Sequence, residues 1–270
     1  MKLNIVPART GIQWVKLGIV TFLRQPLALA GLFFMYMAAV LVVAMVPVVG
    51  MVVGSMLVPA ATLGLMAATA EASKGRFPMP SVLLSAFRAG RQRGAAMLQL
   101  GLMYTAGSFA ATLLGELLVG GAPTPAPAAG AEAAMQQIDP RMLAVMALHA
   151  PLALLFWHAP ALVHWHGISP AKSLFFSGVA CLRNFGAMLV YGLAWMGVFL
   201  LAGFALSAIG AALGGASAVR AVLMPAVLLM ASMFTTSLYF TFRDSFLADT
   251  PEATEPTEPH QPPPGGDTPS

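Results

Sequence analysis

The sequence predicts an all-α integral membrane protein with six transmembrane helices. They are arranged as three units, each an interfacial amphipathic helix plus a transmembrane hairpin. Three observations carry this. Of the 270 residues, 58% are hydrophobic and only 9% are charged, against about 25% charged in a soluble domain. Too little polar surface remains to cover a water-facing globule, so the bilayer is the solvent for most of the chain. Six apolar stretches have spanning length, at about 27–46, 51–70, 95–119, 142–163, 186–210 and 219–239. Twenty residues at ~1.5 Å each cross a hydrocarbon core of ~30 Å. Finally, the chain repeats itself: residues 59–95, shifted by 92 positions, fall without a gap on residues 151–187 with 11 identities in 37. Pro59 meets Pro151, Gly75 meets Gly167, Pro78 meets Pro170, Ser85 meets Ser177 and Arg91 meets Arg183. Self-similarity of this kind sets architecture.

Taken in order, residues 8–24 form a first amphipathic helix. Arg9, Gln13, Lys16 and Arg24 share one face, and Ile12, Val15, Ile19, Phe22 and Leu23 the other. Such a helix lies in the membrane interface with its apolar face among the acyl chains. Pro26 suits the first turn of span one. A turn at 47–50 leads to span two, which contains Pro59. The segment Ser81–Arg93 reads as a second amphipathic helix, with Ser81, Ser85, Arg88 and Gln92 on its polar face. After span three, residues 120–140 form an Ala/Pro/Gly connection without apolar periodicity. Span four carries Pro151 and Pro160. The segment Ser169–Asn184 reads as the third amphipathic helix, its polar face made by Ser169, Ser173, Ser177 and Asn184. Spans five and six follow, joined by a turn at 214–217, with Pro225 in span six. In each unit an Arg precedes the span: Arg24, Arg91 and Arg183. Residues 1–246 are thus expected to form a single six-span membrane domain, and 247–270, rich in Pro, Thr and Glu, a disordered cytoplasmic tail.

Twelve of the fourteen Lys and Arg lie on one side of the expected spans, and only Arg141 and Arg220 on the other. The positive-inside rule then places both termini in the cytoplasm of a bacterial inner membrane. The residues before Gln25 carry spread basic groups and no compact apolar core with a cleavage site. The first apolar run is therefore expected to act as an uncleaved anchor. The net charge of +4 belongs to the membrane surface rather than to a nucleic-acid-binding face. Cys181 has no partner for a disulfide, and the 18 Met read as flexible packing.

Candidate chemistry is sparse. Four histidines gather at span four: His149, His158, His164 and His166. His149 and His158 are nine residues apart, about 180° around a helix and ~13 Å along it, so they do not share a metal. His158, deepest in the span, is the candidate for gating or proton sensing, set against an ordinary structural role. Glu116 near the outer end of span three either pairs with His149 or Arg141 or reaches the interface. Arg24, Arg91 and Arg183 are candidate ligands for lipid phosphates, set against simple topological anchoring. There is no phosphate-binding Gly-rich loop, nucleophile elbow, HExxH or paired carboxylate. No enzymatic activity, cofactor or metal is expected.

The opening Asn4-Ile-Val-Pro-Ala-Arg9-x-Gly11-x-x-Trp14, the segment Phe77-Pro-Met-Pro80 and the closing Tyr239-x-x-Phe-Arg-Asp-x-Phe246 resemble a family of proteobacterial inner-membrane proteins typified from Burkholderia. The chain is more distantly similar to the six-span membrane domain fused to some glycerophosphodiester phosphodiesterases. The resemblance covers residues 3–246 and implies fold and location, but no reaction, since the phosphodiesterase catalytic domain has no counterpart here. The expected function is a non-catalytic scaffold or regulator whose partners are membrane lipids, another membrane protein or a second copy of itself. The alternative is a small multi-pass transporter. Against it, Pro59, Pro151 and Pro225 lack the charges that follow the prolines of three-repeat carriers, and the units are not inverted. A lipid-modifying enzyme is a third, weaker idea that requires the histidines to converge.

Overall fold

The computed structural model describes residues 2–120 and 140–247. The expected linker at 120–140 and the tail after Leu247 lie, apart from their first and last described residues, outside that range. The described residues are almost entirely helical: α1 (Thr10–Arg24), α2 (Pro26–Ala44), α3 (Val49–Ser73), a 3₁₀ turn (Pro80–Leu84), α4 (Ser85–Arg88), α5 (Arg91–Leu118), α6 (Pro140–Phe156), α7 (Ala159–His166), α8 (Pro170–Arg183) and α9 (Phe185–Ser245). Two short strands, β1 (Lys2–Leu3) and β2 (Phe246–Leu247), pair antiparallel and bring the two ends of the described chain together. Leu247, expected to open a disordered tail, is therefore held in a ladder opposite Lys2. Among the described residues five helical stretches are long and apolar enough to cross a membrane: Pro26–Ala44, Val49–Ser73, Arg91–Leu118, Arg141–His166 and Phe185–Ser245.

The last of these turns back on itself. Gly214 and Gly215 leave helical geometry, at φ 168°, ψ 22° and φ 73°, ψ −150°. The second is a region open essentially to glycine alone. Nine residues of straight helix would separate Gly210 from Val219 by ~13 Å. Instead a Cβ on Gly210 would lie 2.6 Å from the Val219 Cα. The two arms of α9 therefore pack side by side.

The amphipathic segments differ from expectation in three ways. Helix α1 does not merely rest in the interface. Its Gly11, Trp14, Val15, Gly18 and Phe22 are buried. Gly11 abuts the Ala187 carbonyl on the first arm of α9, and Gly18 abuts Ser237 on the second. The missing side chains let α1 wedge between both arms. Ile12 and Leu23 stay exposed, so they are the part of the expected apolar face that is left for lipid. The second amphipathic helix is broken: one 3₁₀ turn and one α-turn end at Arg88. Gly90, at φ 101°, resets the chain so that Arg91, Gln92 and Arg93 begin α5 instead. In α8 the serine face points inward. Ser173, Ser177 and the adjoining Asn184 are buried, while Phe175, Phe176 and Leu182 are exposed. A helix lying against lipid gains by turning its hydroxyls to the protein and its apolar groups to the acyl chains.

Trp14, Tyr191, Trp195 and Phe240 close the core between α1 and the two arms of α9. A second cluster, including Leu63, Met97, Leu100 and Val163, joins α3, α5 and α7. Gly75 and Gly167, equivalent in the repeat, both take positive φ, 77° and 65°, just past the ends of α3 and α7. That is the usual glycine stop to a helix.

Candidate functional site

The polar interior is built around a break in the fourth span. Pro160 has no amide hydrogen and ends the regular ladder, separating α6 from α7 at Trp157 and His158. In an unbroken helix the His158 amide would bond the Leu154 carbonyl. Here the Ser177 hydroxyl from α8 stands between them. It accepts from the His158 amide at 2.9 Å and donates to the Leu154 carbonyl at 2.9 Å. A side chain inserted into the ladder is a recognised cause of a kink.

The His158 side chain is fully buried. Its Nε2 meets Thr241 Oγ1 at 3.3 Å, and its Nδ1 faces the Cys181 sulfur at 3.8 Å. Thr241 has one hydroxyl proton and gives it to the Leu238 carbonyl at 2.8 Å. Thr241 Oγ1 must then accept from both Trp157 Nε1, at 3.1 Å, and His158 Nε2. Nε2 therefore carries a proton, while the Cys181 thiol lies between Nδ1 and the Leu154 carbonyl, 3.7 Å away. One turn earlier Ser237 repeats the pattern. It donates to the Phe234 carbonyl and accepts from the Tyr191 hydroxyl, at 2.6 Å, and from Trp195 Nε1, at 3.2 Å. Both hydroxyls are saturated, so this interior is a closed polar clasp that holds α6, α8 and both arms of α9.

A second clasp joins the two ends of the described chain. Asn184 accepts from the Val6 amide and donates to the Asn4 carbonyl. Asn4 donates to the Asp244 carbonyl. The Asp244 carboxylate accepts from Trp14 Nε1 at 2.9 Å and pairs with the neighbouring Arg243 at 2.7 Å. The opening and closing motifs that carry the family resemblance thus form one structure.

The residues singled out in the sequence do not converge. Glu116 is exposed on α5, and His149 bonds the Val145 carbonyl of its own helix at 2.8 Å. Neither touches His158. Arg24, Arg91 and Arg183 are all exposed and make no ion pair among the described residues. They are not equivalent in setting. Arg24 and Arg183 sit in the last turns of α1 and α8, where a cation suits the helix dipole, whereas Arg91 opens α5. Beside Arg91, a recess of about 460 Å³ between α5 and the α7–α8 loop is lined by Gln92, Arg93, Gln99 and Ser169. The residues that do assemble, Ser177, Thr241, Ser237, Asn184 and Asp244, were not singled out as a site. Their signal in the sequence is the hydroxyl stripe Ser237, Thr241 and Ser245, spaced four apart in an apolar helix, together with the two terminal motifs.

Among the described residues no three of His, Cys, Asp and Glu gather as a metal site. Cys181 lies outside the spans. Burial raises its thiol to about 12, so it stays protonated beside the His158 ring.

No family model matches the chain, and no solved structure matches it. A protein of Burkholderia thailandensis named "Probable inner membrane protein" is 38% identical over 266 residues, covering 94% of this chain and 97% of its own length. An alignment of that identity, running nearly end to end in both chains, means that the protein belongs to this Burkholderia-type family of inner-membrane proteins.

Proposed function

We propose that the protein is a non-catalytic scaffold or regulator of the inner membrane that contacts anionic lipid, or a partner membrane protein, through its basic end. In this reading the two arms of α9 are separate spans, which makes six, and both termini are cytoplasmic. The glycine turn at Gly214–Gly215 and the packing of Gly210 on Val219 support the count. The matched positive-φ pair Gly75 and Gly167 supports a unit of interfacial segment plus hairpin.

The observation that carries the functional reading is the contrast between interior and rim. The polar groups of the clasp around His158, Thr241 and Ser237 saturate one another, so this part of the interior offers little to pass a substrate, which favours a scaffold over the transporter alternative. The arginines Arg24, Arg91 and Arg183 are exposed and unpaired among the described residues. A guanidinium at an anionic leaflet contributes ~1 kcal/mol each by charge alone, and more where it forms a bidentate phosphate contact. The test is lipid and protein co-purification in native nanodiscs, comparing the wild type with Arg24, Arg91 and Arg183 all changed to Gln. The reading expects an anionic lipid enriched with wild type and lost in the triple variant. Lipids matching the bulk membrane in both would reduce the arginines to topological anchors.

A further inference from the structure

Two neighbouring cavities where the segment Pro80–Arg88 of the second unit meets the first unit's hairpin have the chemistries of the two ends of a phospholipid. The first, about 510 Å³, combines polar groups from Glu71, Ser81, Ser85, Arg88 and His164 with the apolar Met79 and Val82. Its charges are incompletely used. Arg88 has no ion pair among the described residues. Glu71 gives one oxygen to Arg76 at 3.2 Å and leaves the other free. Ser85 Oγ and His164 Nδ1 are enclosed and have no hydrogen-bond partner. Native proteins rarely leave such groups unmet, because an unpaired buried polar atom costs free energy, and each instance calls for an explanation.

The repeat supplies half of that explanation. Ser85 is the counterpart of Ser177, and Met66 and Ala68 are the counterparts of His158 and Pro160. With alanine in place of the proline, α3 keeps its ladder through this turn, so Ser85 finds no broken backbone to bridge. Its hydroxyl is left beside the cavity.

The second cavity, about 460 Å³, is an apolar groove between α2 and α3, lined by Tyr36, Val43, Gly54, Leu57 and Phe87. Ser81 lines both cavities. The segment Pro80–Arg88 turns its apolar side to the groove and Ser85 and Arg88 to the polar cavity. A Cβ built on Gly54 meets nothing within 4 Å, so the groove has room left by the protein.

We propose that this pair of cavities binds one phospholipid with a zwitterionic phosphoethanolamine headgroup. The phosphate lies on Arg88, Ser81 and Ser85, the ammonium on the free oxygen of Glu71, and an acyl chain in the groove beyond Ser81. The inference rests on the reading of the protein as one that contacts lipid, but it names a different lipid and different residues from the exposed arginines. A purely anionic headgroup would place its charge against Glu71 without compensation.

The full chain in detergent is titrated with dioctanoyl phosphatidylethanolamine, dioctanoyl phosphatidylglycerol and soluble O-phosphoethanolamine, and thermal unfolding is followed. The ethanolamine lipid is expected to raise the midpoint most. Its apparent affinity should fall about tenfold or more in Arg88→Gln and Glu71→Gln, whose lost contacts are charge-assisted. It should fall also in Gly54→Leu, which fills the groove. Ser85→Ala removes a hydroxyl that bonds nothing in the protein, so it should weaken lipid protection while leaving the lipid-free midpoint unchanged. Equal protection by phosphatidylglycerol overturns the zwitterionic assignment. Equal protection by O-phosphoethanolamine, insensitive to Gly54→Leu, overturns the lipid in favour of a soluble phosphate compound, and no shift with any probe overturns the site. The triple arginine variant should keep the ethanolamine response, so this site and the anionic-lipid reading can fail separately.

Discussion

Ser177 exchanges one backbone hydrogen bond for two through its hydroxyl, while Ser85, its copy in the repeat, makes none. The same residue type at equivalent positions therefore has opposite consequences on deletion. Ser177→Ala should destabilise the protein by about 1–3 kcal/mol, the cost of leaving the buried His158 amide unpaired. In lipid-free detergent Ser85→Ala should stay within about 0.5 kcal/mol of wild type. Thermal or denaturant unfolding of the two variants side by side decides it, and equal losses would remove the bridging role. The sequence shows that the serines are equivalent and that Pro160 faces Ala68. It does not show that the proline decides which serine is used, because that depends on a carbonyl freed in three dimensions. Cys181 gives a second test. Its thiol, raised by burial from 9.0 to about 12, favours the protonated form in the folded state. The resulting stability is present below pH 9 and is lost as pH rises toward 12. At pH 8 the folded protein then holds much less thiolate than the unfolded chain, and the thiolate is the nucleophile. Maleimide should therefore label Cys181 only after SDS unfolding.

At the level of elements, the apolar runs were legible because a spanning helix is set by length and composition alone, and each expected span overlaps a helix. The orientation of amphipathic faces was not. A helical wheel separates the polar residues of α8 from its apolar ones, but it cannot say which side meets the protein when the solvent is lipid. The serines face inward because the hydroxyls find carbonyls and amides there. Helix α1 shows the other limit, since the glycines that let it enter the cleft of α9 leave no mark on a hydrophobic pattern. Gly18→Leu should drive a side chain into Ser237 and cost about 1–3 kcal/mol or more by overpacking. Ile12→Ala, on the exposed face, should change little in detergent. If both variants melt together with wild type, the seating of α1 is wrong.

For the whole molecule, the antiparallel pairing of Lys2–Leu3 with Phe246–Leu247 brings the two ends of the described chain to one side. A chain whose ends meet on one side crosses the membrane an even number of times. The proposed six-span reading meets that requirement if one of the five apolar helices counts twice, and α9 has the length and the glycine turn to do so. Single cysteines placed at Ala89 and at Ser217, in a protein with Cys181 replaced by Ala, test this with a membrane-impermeant thiol reagent on intact spheroplasts. In the proposed orientation, cysteine at 217, beside the Gly214–Gly215 turn, should label from outside, and cysteine at 89 only after permeabilisation, since the positive-inside rule assigns the end bearing Arg88, Arg91 and Arg93 to the cytoplasm. Labelling of both from the same side would mean that the arms of α9 do not cross separately. The count of spans and the positive-inside orientation would then fall together, because each relies on the chain reversing at Gly215.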